Sequence, residues 1–202
     1  VNGLGDPILM ESYQIYNTKR DTSSKSFSQR LTAGLGIKVP LGKTDIRFDH
    51  GTPNLDLQPG SGSWDGLGYI AYMMKWKFLG ANANVNAKFN SKDKFNYQYG
   101  RVFNMTTNLF TDLSVKSITI RFLAGLYLER AKMDRTIGTV GEPSYVHKNT
   151  GGTILFANTG IQIFTDRFLL FGEYQPVVKS NLNGFSQLLT LNKLNIGLTY
   201  NF

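Results

Sequence analysis

From Ala81 to Asn90 the chain reads Ala-Asn-Ala-Asn-Val-Asn-Ala-Lys-Phe-Asn, with Asn or Lys at every even position and an apolar residue at every odd one. A period of two sends neighbouring side chains to opposite faces of a strand. Leu194 to Phe202 repeats the pattern in the other parity, and Leu31, Ala33, Leu35, Ile37 and Val39 alternate with Thr32, Gly34, Gly36 and Lys38. Between Ile118 and Glu129 the even positions are apolar, with Leu123 the one exception on the odd side. Extended along the chain, this reading predicts nine strands, over 7–17, 27–39, 66–78, 80–90, 96–110, 115–129, 153–165, 167–177 and 188–202. No segment sustains an apolar stripe at i, i+3, i+4, and Gly and Asn fall where they weaken a helix.

The predicted strands run well beyond the usual mode of about 5–6 residues, while a tilted strand needs about 9–11 to cross a membrane. Their connections differ in length. Leu79-Gly80, 111–114 and 165–167 read as tight turns, whereas 40–65 and 130–152 are long and rich in Gly, Pro, Asp and Lys. Short turns at one end and long loops at the other are the habit of bacterial outer-membrane barrels. Connections 91–95 and 18–26 depart from it in length.

Alternation alone does not say which face meets solvent. A soluble barrel buries the apolar face, and a membrane barrel exposes it to lipid. The polar positions here are dominated by Asn and Gly where a solvated face usually carries Lys, Glu and Thr, which favours the membrane arrangement. If Phe202 ends a strand at the periplasmic side, 40–65, 91–95, 130–152 and 178–187 lie outside. Nine strands then fall short of the even number a closed barrel of this class needs, because an open edge leaves backbone groups facing hydrocarbon. The expectation is a single all-β domain over 1–202, an antiparallel up-and-down transmembrane β-barrel in the bacterial outer membrane. It would be the carboxy-terminal part of a longer barrel with its amino-terminal strands missing.

Composition agrees. Of 202 residues only 18% are charged and 13% are aromatic, against about 25% charged in ordinary soluble domains. The absence of Cys excludes disulfides, thiolate metal sites and a cysteine nucleophile. No stretch reaches the about 20 apolar residues of a membrane-spanning helix, and Val1 to Asp6 shows neither region of a signal peptide. The +8 net charge points to anionic partners without choosing among them.

Three blocks carry a resemblance: Gly3-Leu4-Gly5-Asp6, Gly36-Ile37-Lys38-Val39-Pro40-Leu41-Gly42-Lys43, and Gln58-Pro59-Gly60-Ser61-Gly62-Ser63-Trp64-Asp65. Over 1–110 the chain resembles the outer-membrane "transporter" family named after the phenol meta-cleavage pathway, in the form found in Bacteroidota. Leu41 and Ser61 stand where that family's pattern has Thr. The resemblance implies a passive channel for small molecules, about a hundred residues before the first block, and about 12 strands in the complete barrel. It carries no catalytic residue. Gly60, Gly62, Trp64 and Asp65 form its loop signature, read as a turn that returns the long outer loop to a strand.

By parity, Arg30, Lys38, Lys75, Lys77, Lys88, Arg121 and Lys193 point into the lumen with Asn82, Asn84, Asn86, Asn104, Asn108, Asn195 and Gln175, and with Glu129 and Glu173 as the assigned acids. Seven cations against two acids would select anionic solutes; the alternative is cross-strand ion pairing that fills a narrow lumen. Arg101 and Lys116 fall on the lipid side near strand ends, where long side chains reach headgroups. Trp64, Tyr69, Trp76, Phe78, Tyr97, Tyr99, Phe110, Phe168, Tyr174, Tyr200 and Phe202 are read as two interfacial girdles, and Phe202 also resembles a barrel-assembly signal.

Catalysis has little support. His50 and His147 sit in separate loops, no nucleophilic triad surrounds them, and Asp45, Asp49, His50 and Asp56 match no EF-hand spacing. The dispersed cations do not form a nucleic-acid footprint. The expectation is therefore a non-enzymatic, cofactor-free and metal-free barrel, in contact with outer-membrane lipid, that passes small-molecule solutes. The alternative is a structural barrel that anchors or encloses a protein partner in an outer-membrane complex.

Overall fold

The computed structural model describes residues 3–18, 27–44, 58–139, 141–184 and 192–200. It is all-β, with 69% of it in strands and no helix. In chain order the strands are β1 (Ile8–Asn17), β2 (Phe27–Lys38), β3 (Asp65–Trp76), β4 (Leu79–Asn90), β5 (Tyr97–Gln98), β6 (Val102–Val115), β7 (Ile118–Ala131), β8 (Arg135–Thr136), β9 (Tyr145–Val146), β10 (Gly152–Phe164), β11 (Phe168–Gln175), β12 (Val177–Leu182) and β13 (Lys193–Tyr200). One antiparallel sheet of ten strands runs β1-β2-β3-β4-β6-β7-β10-β11-β13, with β12 also on β10. β5, β8 and β9 form a separate small sheet at the loop end.

β11 and β12 occupy one position in the large sheet. β11 pairs with the second half of β10 and β12 with the first half. Between them lies Pro176, which has no N–H to give the ladder; its carbonyl accepts from Ala157 N at 3.0 Å and the register shifts beside it. Counted this way the sheet has nine positions, the number expected from alternation. With strict up-and-down connections β1 and β13 run in the same direction, and they do not pair with each other.

Two turns sit elsewhere than expected. The β3–β4 hairpin turns at Lys77-Phe78 and the β6–β7 hairpin at Lys116-Ser117, with Lys77 and Lys116 both at φ 54°. Lys77 is thus a turn residue and lies on no strand face, a correction to its lumen placement. The 111–114 segment continues β6, because Asp112 is neutralised inside the sheet by Arg121 and Lys75. The start of the expected fifth strand breaks away as β5, which pairs with β8.

Burial is inverted relative to a soluble protein. On β2 to β13 the register puts even residues of β2, β4, β6 and β10 on one face with odd residues of β3, β7, β11 and β13. That face carries the polar set, and every buried residue of these strands lies on it, including Phe110, Leu123, Ile154 and Phe156. The opposite face carries Leu35, Ile70, Leu109, Leu126, Leu194, Ile196 and Leu198, all exposed, the last three at 66–72%. Among the described residues no second layer lies over the polar face, and its side chains meet across several strands, as Lys193 of β13 does with Glu129 of β7. Leu123, the exception to the alternation, pairs with Phe110 and joins the small apolar core inside.

Candidate functional site

The polar face gathers the predicted residues. Arg30, Lys38, Lys75, Asn82, Asn84, Asn86, Lys88, Asn104, Asn108, Arg121, Glu129, Glu173, Gln175, Lys193 and Asn195 all fall on it by register. Asn86 and Arg30 are exposed there, whereas Asn108 and Gln175 are buried. Two acids that parity did not assign to this face join them, Asp65 at the start of β3 and Asp112 near the end of β6. Tyr69 and Phe110, expected in the interfacial girdles, are also on this side, each covering the glycine opposite it on the neighbouring strand, Gly34 and Gly80. Trp64, Trp76, Phe78, Phe168, Tyr174 and Tyr200 remain exposed.

Three polar groupings divide the face along the strands. At the loop end, Asp65 Oδ2 lies 2.6 Å from Lys38 Nζ and 3.2 Å from Lys88 Nζ, and its Oδ1 accepts from Ser63 Oγ at 2.7 Å. Lys38 also pairs with Asp6 at 3.1 Å and donates to Ser61 Oγ. Asp6 accepts in turn from Gly42 N at 2.9 Å, Ser61 N at 2.8 Å and Ser61 Oγ at 3.0 Å. Burial pushes the Asp6 carboxyl up, but these backbone and side-chain donors outweigh it and hold the group below its ordinary range.

All three sequence blocks behind the resemblance therefore meet in one network, which sequence spacing alone does not show. Gly42 and Gly60 make the meeting possible: a Cβ on either would sit 2.7 Å from the backbone of the other. Gly62, at φ 68°, turns the loop toward Asp65. A cleft of about 470 Å³ opens beside the network, lined by Asp6, Lys38, Ser61, Lys88 and Tyr99 among others.

Midway along the strands an amide belt crosses the sheet. Gln175 Nε2 donates to Asn158 Oδ1 at 3.4 Å, Asn158 Nδ2 to Asn108 Oδ1 at 2.9 Å, and Asn108 Nδ2 to Asn82 Oδ1 at 3.2 Å. The middle bond passes over β7 at Gly125, where a Cβ would lie 2.4 Å from Asn108 Oδ1. Asn158 was not singled out from sequence, although its even position in an alternating strand was the available signal. Nearby, Lys193 Nζ lies 2.9 Å from Glu129 Oε2 and 4.5 Å from the Phe156 ring centre.

Toward the turn end Asp112 holds two cations. Arg121 donates from Nε at 2.7 Å and Nη2 at 3.0 Å, and Lys75 Nζ at 2.6 Å, while the guanidinium packs over Phe110 at 4.0 Å. Among the described residues, Glu173 takes a 3.5 Å contact from Gln162 alone. Five of the six strand-borne cations on this face are thus ion-paired among the described residues, and Arg30 is the sixth. Asp65 and Asp112 supply most of the pairing, so the expected excess of seven cations over two acids is reduced to six over four before Asp6 is counted.

His147 follows β9 beside the loop-end sheet, hydrogen-bonded to Thr136 Oγ1 at 2.8 Å and flanked by the rings of Tyr97 and Tyr145. His50, Asp45, Asp49, Asp56 and Phe202 lie outside the described residues. No family model matches this chain, and no curated protein matches it.

Proposed function

We propose that this chain forms the wall of a β-barrel in a Gram-negative outer membrane and passes small molecules passively along its polar face. One observation carries the reading. The apolar face is exposed from Leu35 to Leu198 while the buried strand residues lie on the polar face, an arrangement that is costly in water and favourable in a bilayer. The outward apolar face meets lipid, and strands beyond the nine positions would close the wall between β1 and β13. The resemblance to the phenol-pathway family of outer-membrane transporters points the same way, toward a complete barrel of about 12 strands.

The two halves of the face suit different tasks. Around β2–β4, Arg30, Asn84 and Asn86 keep contact with solvent, as the lining of a conduit does. Around β6–β11, Phe156, Asn158, Phe110 and Leu123 are at most 4% exposed and make a packed wall. That packing also favours a second reading, a closed barrel that serves as a scaffold for a partner protein.

Reconstitution separates the two. A conduit increases liposome swelling or bilayer conductance when the protein is inserted alone, and Lys88→Glu or Arg121→Glu shifts the reversal potential. Silent bilayers together with copurification of a partner at fixed ratio would favour the scaffold. Conducting bilayers with unchanged reversal potentials in both variants would remove the electrostatic filter.

A further inference from the structure

The apolar face ends abruptly at the loop end. One row of register partners there is Met105, Leu128 and Leu155, ending on the exposed Lys179; the next is Phe103, Arg130, Thr153 and Asn181. Beyond it, Lys132 N donates to Arg101 O at 2.9 Å, and Arg135 follows in β8. A cleft of about 500 Å³ is lined by Arg130, Lys132, Arg135, Asn181 and Asn183 among others, and a smaller one of about 130 Å³ by Arg101, Lys132 and Arg135.

All four cations are exposed, and none forms an ion pair among the described residues. The acid between them, Asp134, is already engaged by Tyr97 Oη and Gly100 N, both at 2.6 Å. This contrasts with the polar face, where nearly every cation has its carboxylate.

We propose that this rim is a binding site for the phosphate group of a membrane lipid, with the lipid's acyl chains lying along the adjoining apolar face. Three guanidinium forks and an ammonium are the donors that phosphate oxygens match best, and the Asn181 amide extends the donor set, while Asn183 is held by the Thr150 carbonyl at 3.0 Å. The neighbouring band decides the source of the phosphate. Phe103 and Met105 are exposed beside the cations, and Arg101 lies 5.6 Å from the Phe89 ring centre. A lipid satisfies the cations and the band together, whereas free phosphate satisfies only the cations. The inference rests on the membrane reading above.

Native mass spectrometry of the protein in neutral detergent tests it, with phosphatidic acid titrated against phosphatidylcholine of the same acyl chains. The unaltered protein should prefer phosphatidic acid by at least about tenfold, R130Q/R135Q should lose that preference, and K116Q/R167Q at the opposite rim should keep it. R130K/R135K preserves charge without the forks and should fall between. Retained preference in R130Q/R135Q overturns the site, as does inorganic phosphate that binds as tightly as the lipid.

Flotation with phosphatidylcholine vesicles and the far-UV β-sheet signal are measured on the same samples. Lost preference in R130Q/R135Q with normal flotation and β-signal supports the site. Normal flotation of an unaltered protein without headgroup preference overturns the site and leaves the membrane reading standing. Failure to float in any vesicle overturns both.

Discussion

Replacing Asp112 by Asn removes the one charge that holds Arg121 and Lys75. The carboxylate is 3% exposed and accepts three charge-assisted hydrogen bonds of 2.6–3.0 Å. Each such bond contributes about 1.5–3 kcal/mol, and a buried ion left unpaired by loss of its partner costs about 3–5 kcal/mol. Arg121 is 16% and Lys75 27% exposed, so water recovers part of the loss and the expected cost is about 3 kcal/mol. Arg121→Met should cost about 2–3 kcal/mol, since it leaves Asp112 with Lys75 alone. Removing Asp112 and Arg121 together counts their shared interaction once and leaves only Lys75 without its acid. D112N/R121M should therefore be less destabilised than the sum of the single variants by at least about 1.5 kcal/mol. Denaturant unfolding in detergent micelles gives all four free energies. Additivity within about 0.5 kcal/mol would refute the assignment of these residues to one electrostatic unit.

Two further expectations follow from local geometry. Gly125→Ala would place a methyl 1.9 Å from the Thr107 carbonyl oxygen and 2.4 Å from Asn108 Oδ1, and should destabilise by about 3 kcal/mol. Gly172→Ala, with nothing within 4 Å of the new methyl, should shift the unfolding midpoint negligibly under the same conditions. Asp6 has a folded pKa below its ordinary 3.8, so its contribution is complete above that value and is lost as pH falls through the lower folded one. Hydrogen exchange at Gly42 and Ser61 should accelerate over that acid range, and in Asp6→Asn it should be faster already at neutral pH and lack this acid step.

The period-two pattern made nine strand positions and the division of their faces legible, because alternation is a local property of extended backbone. Asn82, Asn84, Asn86 and Lys88 share a face whatever they pair with. Turn placement was less legible. Asp112 reads as a loop residue in isolation, and only its position opposite Arg121 makes a strand affordable there. The expected strand over 167–177 stops one residue past Pro176, yet β12 runs on to Leu182 along the same partner strand, since one missing N–H interrupts a ladder without ending it.

Which face is buried, which strands neighbour one another and which charges meet belong to the tertiary structure. Lys193 and Glu129 are 64 residues apart and Asp6 and Ser61 are 55 apart; no local period encodes such contacts. They arise when register and sheet curvature bring strand ends and loops together. The rim cations Arg101, Arg130, Lys132 and Arg135 likewise read as dispersed charges along the chain. The sequence by itself determined the strands and their two unlike faces, because both follow from the geometry of single residues. The folded sheet decided the polar network and the rim cluster, because both depend on distances between residues that the chain order keeps apart.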